Sequence, residues 1–232
     1  MPQRGGNTDS CFRLVDTGWD RELASALATD HTGISIMCPF IKTSVAKRLV
    51  RLPDSRPIQV ITRFNLCDFA EGVSDIAALR LLLAQGAAIR GVRNLHAKLY
   101  LFRERRAVVT SANLTEAALS RNHEFGFVAD EQGIVGRCSQ YFNDLWARAG
   151  NDLTPSRVDG WDRAVASYLA SGARQPAAAA GLGDEGADAG LPAGPTKTLL
   201  PWVADSTQAF VKFFGEGDNR AARSMAVLER GG

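Results

Sequence analysis

NLHAKLYLF, residues 94–102, followed after four charged residues by AVVTSAN, residues 107–113, decides how this chain is read. In a β-strand successive side chains point to opposite faces. His96, Lys98 and Tyr100 then share one face, and Ala97, Leu99 and Leu101 share the other. An imidazole and an ammonium two residues apart are separated by roughly 6.6 Å of strand, about the span needed to hold two sides of one phosphate. The plainer reading of the same stretch is an edge strand with one solvated face. The run RERR between the two apolar segments predicts a hairpin, which carries Ser111 and Asn113 back toward the His96 end.

Outward from this hairpin, helix and strand signals alternate. WDRELASALA spaces Trp19, Leu23 and Leu27 as a helix, GISIMCPFI is a short buried strand, and SVAKRLVRL a short helix. PIQVITRF is a β-branched strand, DIAALRLLLAQG a helix closed by Gly86, and AIRGVR a further strand. NLTEAAL opens a helix, with Asn113 and Glu116 spaced as a capping box, and that helix start offers backbone N–H groups to an anion. HEFGFVA alternates as a strand. IVGRCSQYFNDLWARA places Ile134, Cys138, Tyr141, Phe142 and Leu145 on one helical stripe. The expected fold class is α/β, a mixed sheet flanked by helices, over residues 1–170.

Residues 171–197 read as a flexible linker, since 17 of the 25 residues from 172 to 196 are Ala, Gly or Pro. Residues 198–232 hold Trp202, Phe210, Phe213 and Phe214 in a segment too short to fold alone. They read as the start of a truncated second domain, with DNA recognition as one role for it.

The formal net charge of +2 excludes nothing, but its distribution is informative. Residues 42–63 hold six basic side chains against Asp54, and residues 86–124 hold seven against three acidic ones, a bias toward anions. Cys11, Cys38, Cys67 and Cys138 form no C-x-x-C pair, which argues against a zinc knuckle. Cys38, inside ISIMCPF, reads as a small core residue. Neither a secretory leader nor a membrane span is evident, and a reducing cytoplasm is the expected compartment.

His96-x-Lys98, then Ser111-x-Asn113 with Thr110 before it, then Asn122-x-Glu124-x-Gly126, resembles the signature of the phospholipase D superfamily. One position departs from it: Arg103 stands where the family's motif has Asp. The resemblance implies a phospholipase D-like fold and a catalytic set of His96, Lys98, Ser111, Asn113 and Glu124, with no cofactor and no metal. It also implies attack by a histidine on phosphorus, a phosphohistidine intermediate, and Lys and Asn side chains stabilising the charge. The family's site uses two motif copies. This chain has one, because neither His31 nor His123 has Lys two residues on, so a homodimer with a shared site is expected. The expected activity is metal-independent cleavage of DNA, double- or single-stranded, by an endonuclease of restriction type. The alternatives are a phospholipase or other phosphatidyl hydrolase, and a catalytically idle DNA-binding dimer.

Overall fold

A computed structural model describes residues 12–29, 32–50, 56–172 and 181–190. In chain order the elements are β1 (Phe12–Val15), α1 (Trp19–Thr29), β2 (Ile34–Met37), α2 (Thr43–Val50), β3 (Ile58–Thr62), α3 (Leu66–Ala70) and α4 (Ile76–Ala84). There follow β4 (Ala88–Gly91), β5 (Leu99–Phe102), β6 (Arg106–Thr110), α5 (Glu116–Ser120), β7 (Gly126–Ala129), α6 (Gln132–Arg148) and α7 (Pro155–Ala170). The strands form one sheet in the order β1-β7-β6-β5-β2-β3-β4. The β2–β3 and β3–β4 pairs are parallel and the rest antiparallel, so the expected mixed α/β sheet is what forms.

The alternating strands give the sheet two apolar faces. Ile34, Ile36, Ile58, Val60, Ile89, Tyr100, Phe102 and Val108 belong to a core built with six helices, α1 to α5 and α7. Its aromatic centre is Trp161 of α7, with Phe64 at 4.8 Å and Phe69 at 6.3 Å between ring centroids. Met37, Ile61, Leu99, Leu101 and Ala107 face the other way, where Val135, Phe142 and Leu145 of α6 alone among the helices cover them.

Several expectations are corrected. The strand begins at Leu99, not His96, and it is the fourth of seven strands with all four residues buried, so the edge-strand reading fails. An apolar LYLF run suits a strand flanked on both sides and covered on both faces. The α6 stripe is Val135, Phe142 and Leu145, while Tyr141 is 42% exposed. The helices α3 and α7 and the strand β1 lack expected counterparts. The start of α7 is locally encoded: Thr154 caps the Arg157 N–H, and Pro155 follows it.

The linker reading also fails for residues 181–190. Leu182 is buried, and Leu66 N–H donates to the Gly183 carbonyl at 2.9 Å. Ala187 exchanges backbone hydrogen bonds with β4 and the residues after it, donating to Gly91 O at 2.8 Å and accepting from Arg93 N at 3.0 Å. β4 is an edge strand, and the strap takes its Gly91 carbonyl while Leu153 N donates to its Ile89 carbonyl at 2.7 Å. Alanine and glycine let the backbone lie close; Gly186 is 3.0 Å from the Val92 carbonyl carbon at the position a Cβ would take. Residues 198–232, expected to begin a second domain, lie outside the described residues. No helix among the described residues is long and apolar enough to cross a membrane.

Candidate active site

The carboxyl ends of β2, β3 and β6 and the amino ends of β5 and β7 meet at one end of the sheet. That is where open α/β sheets form binding crevices. The chain reaches it from β4 through a turn at Asn94, a residue with φ of 57° that Asn tolerates better than most. Leu95 is buried, His96 is exposed and Lys98 is 6% exposed. The two candidate residues therefore precede the strand, in extended chain. Only the Lys98 carbonyl joins the ladder, accepting from Thr110 N at 3.2 Å.

His96, Lys98, Ser111 and Asn113 all line one open cavity of about 710 Å³, together with Leu99, Val109 and Phe127, and with Arg137 and Tyr141 from α6. The tight β5–β6 hairpin is what joins the two halves of the motif. Arg103 begins the 3-10 turn Arg103–Arg105 at the other end of β5, five residues and roughly 16 Å of strand from Lys98. The departure from the family's motif thus falls away from the cavity.

Lys98 is the unusual group. Its ammonium donates to the His96 carbonyl at 2.8 Å, and among the described residues it has no salt-bridge partner. An ammonium carries three donors. Burial pushes its pKa below the ordinary lysine value, with the Glu124 carboxylate pulling the other way. A desolvated cation on the wall of an open cavity is a seat for an anion.

Glu124 is held by two side chains. Its carboxylate accepts from the Ser111 hydroxyl on one oxygen and from Asn122 Nδ2 at 3.3 Å on the other. Ser111 Oγ in turn accepts from Phe125 N at 3.1 Å, and Ser111 N donates to the Phe125 carbonyl at 3.0 Å. Trp19 Nε1 donates to the Glu124 carbonyl at 3.3 Å, tying this segment to α1. Gly126 has a physical reason for being glycine: a Cβ there would lie 2.0 Å from the Val109 carbonyl oxygen of the neighbouring strand.

Asn113 is not the helix cap. Thr115 caps α5, its hydroxyl accepting from Ala118 N at 3.2 Å, and the proposed Asn113–Glu116 box does not form. The helix-start anion seat is lost with it, since α5 spans only five residues. Residues 110–115 are instead clamped. Ala112 N donates to Thr110 Oγ1 at 3.0 Å, the buried Tyr100 hydroxyl to Ala112 O at 3.1 Å, and Lys42 N to Leu114 O at 2.9 Å. Asn113 lines the cavity instead, with its Oδ1 near the Cys38 sulfur. Arg137 and Tyr141 were missed because nothing local ties a helix surface 40 residues downstream to the motif.

Comparison with known proteins follows the same outline. Residues 25–146 match the family described as cardiolipin synthase, PLD-like domain. Among solved structures, the phospholipase D family member Nuc from Salmonella typhimurium is 21% identical, with a TM-score of 0.53 over 62% of this chain and 99% of that one. NucT from Helicobacter pylori is 11% identical, with a TM-score of 0.43 over 58% of this chain and 94% of that one. A phosphatidylserine synthase from Haemophilus influenzae is 12% identical, with a TM-score of 0.47 over 70% and 46%. The likeness to Nuc establishes the fold; the other two are too slight to carry an argument. No curated protein matches the chain.

Proposed function

This chain belongs to the cardiolipin synthase, PLD-like domain family, and from that premise we propose that it hydrolyses phosphodiesters, with DNA as substrate and two copies sharing one site. The observation that carries the reading is Lys98, a buried ammonium without a salt-bridge partner among the described residues, in the wall of a cavity that also presents His96, Ser111 and Asn113. A phosphodiester anion supplies the missing counter-charge.

In this reading His96 attacks phosphorus, the bond to the leaving oxygen breaks, and a phosphohistidine forms. The His96 of a second copy protonates the leaving oxygen, then takes a proton from the water that cleaves the intermediate. Lys98 and Asn113 donate to the non-bridging oxygens, where charge builds as phosphorus becomes five-coordinate. The Glu124–Ser111 pair fixes the Ser111 hydroxyl at the cavity edge. The charge-stabilising role falls to these side chains, so the reaction is assigned as metal-independent.

DNA is preferred to a lipid because exposed basic side chains in the two basic stretches, Lys47, Arg93 and Arg121 among them, are available for phosphate contacts beyond the one cleaved. The apolar part of the cavity wall, Leu99, Val109 and Phe127, favours phosphatidyl hydrolysis as the second reading. Residues 198–232 are assigned to a further, DNA-reading domain, as in a restriction endonuclease.

The test is plasmid cleavage by the purified full chain in EDTA, beside a phosphatidyl substrate in vesicles. Cleavage of DNA that survives EDTA and vanishes in His96→Ala, with DNA binding retained, is the expected result. Adding excess His96→Ala chains should poison the active protein, because mixed dimers lack one histidine. Activity that requires added magnesium, or that falls only in proportion to the active chains, overturns the corresponding part.

A further inference from the structure

Cys38 follows β2 and is fully buried. As sequence it is one more small residue in an apolar run, yet its sulfur has four polar neighbours, the Tyr100 hydroxyl among them. Leu114 N donates to Sγ at 3.3 Å. The thiol hydrogen has two acceptors within reach, the Phe40 carbonyl at 3.2 Å and Asn113 Oδ1 at 3.7 Å. Burial raises the Cys38 pKa, which keeps the sulfur protonated and able to donate.

The consequence falls on Asn113. An asparagine amide has a donor end and an acceptor end, and a phosphate oxygen accepts hydrogen bonds but does not donate them. Only the NH₂ end is useful toward phosphate. The backbone of residues 110–115 is fixed by the clamps already described, but these leave rotation of the terminal amide free. Among the described residues the thiol is the hydrogen-bond partner of that amide. When the single thiol hydrogen is directed at Oδ1 rather than at the nearer Phe40 carbonyl, it holds the carbonyl end of the amide turned to the thiol. A flipped amide would bring a second N–H to a sulfur that is a weak acceptor and already takes one from Leu114.

We propose that Cys38 is a positioning residue that selects which end of the Asn113 amide is presented to the anion in the cavity. The inference rests on the phosphodiester reading above for its substrate, and on the geometry alone for its mechanism. It goes beyond packing: the thiol acts through Asn113 and never touches the phosphate.

The experiment is a double-mutant cycle in the full chain, with bis(4-nitrophenyl) phosphate as the probe substrate and inorganic phosphate affinity measured by calorimetry as a second arm. Cys38→Ala should lower kcat/KM about tenfold, the worth of one hydrogen bond to a charged group. Cys38→Ser, which keeps a donor and an acceptor, should restore most of the loss. Adding Cys38→Ala to Asn113→Ala should cost nothing further. Cys38→Val fills the space without a hydrogen bond, and serves should the alanine variant not fold; it should behave like alanine. An equal loss from Cys38→Ala in both backgrounds, or serine no better than valine, overturns the proposal. A wild-type chain that hydrolyses nothing overturns the phosphodiester reading instead. The phosphate arm then decides the positioning role: weaker affinity in Cys38→Ala but not in Cys38→Ser supports it, and equal affinities refute it.

Discussion

The two faces of the sheet are built to different ends. One is closed by six helices around Trp161, Phe64 and Phe69, with Ile36 and Val60 fully buried beneath them. The other is covered by α6 alone, and even its strand residues are mixed, with Ser35 donating to Gln59 Oε1 at 3.2 Å. Between α6 and the strand ends lies the cavity with Lys98 in its wall. The thick face has apolar area to spare for stability. Lys98, at the strand ends, is a desolvated cation without a salt bridge among the described residues, an arrangement that costs stability and suits a site. The same sheet thus separates what holds the fold from what the fold presents.

The separation breaks most visibly at Trp161. Trp161→Ala should lower stability by about 3–5 kcal/mol, since it empties the centre of the thick face. Denaturant unfolding measures the loss, and phosphodiester turnover per folded molecule should stay near wild type. A comparable fall in intrinsic turnover would mean the faces are not independent.

Lys98→Met tests the cavity instead. Loss of a charge-stabilising donor should cost about 2.7–4 kcal/mol of transition-state stabilisation, or roughly 10²–10³ in turnover. Stability should hold or rise, because a buried cation is replaced by an apolar chain of similar length. A variant both inactive and clearly less stable would make Lys98 structural.

The strap supplies a smaller effect. Leu182 packs into the thick-face core, and Leu182→Ala should cost about 2 kcal/mol, lowering the melting temperature by about 4–8 °C in a chain of this size. Turnover should be unaffected. An unchanged melt would show that the strap adds nothing to the domain and would restore the linker reading for it.

The smallest effect sharpens the assignment of charge. Lys98 has a folded-state pKa below that of the unfolded chain. Between the two values the unfolded chain binds more protons, so stability rises with pH there. The penalty of the charged form is fully present below the folded pKa and is gone above the ordinary lysine value. The stability of wild type relative to Lys98→Met should therefore climb through the alkaline range toward pH 10.5. A flat difference would place Lys98 in a solvated environment.

Part of this was legible in the sequence because it is local. The alternation of HAKLYLF, the RERR turn and the spacing to Ser111 and Asn113 lie within 18 residues, and a hairpin brings them together by chain geometry alone. Gly126 and the alternating residues beside it were equally readable. The helix cap was not. Asn113 and Thr115 are two residues apart and both suit an N-cap, so local chemistry does not choose between them. The choice is made by contacts from far away in the chain: Lys42 N on Leu114 O, Leu114 N on Cys38 Sγ, and the Cys38 thiol near Asn113. Glu124 shows the same limit, since its motif position named it but only the β6–β7 pairing gave it Ser111 as a partner.

The sequence by itself determined the mixed α/β class, the family resemblance and the hairpin that gathers His96, Lys98, Ser111 and Asn113, because periodicity and motif spacing are properties of neighbouring positions. Only the tertiary structure decided that the motif strand is central and that Arg103 stands a strand's length from the cavity. Only it decided that Lys98 lacks a salt bridge among the described residues and that an alanine- and glycine-rich strap is docked. Those depend on which distant groups meet. Burial, counter-charge and the pairing of a sheet edge are set by neighbours in space, and a low-complexity segment becomes ordered when a sheet edge offers it hydrogen bonds that water would otherwise supply.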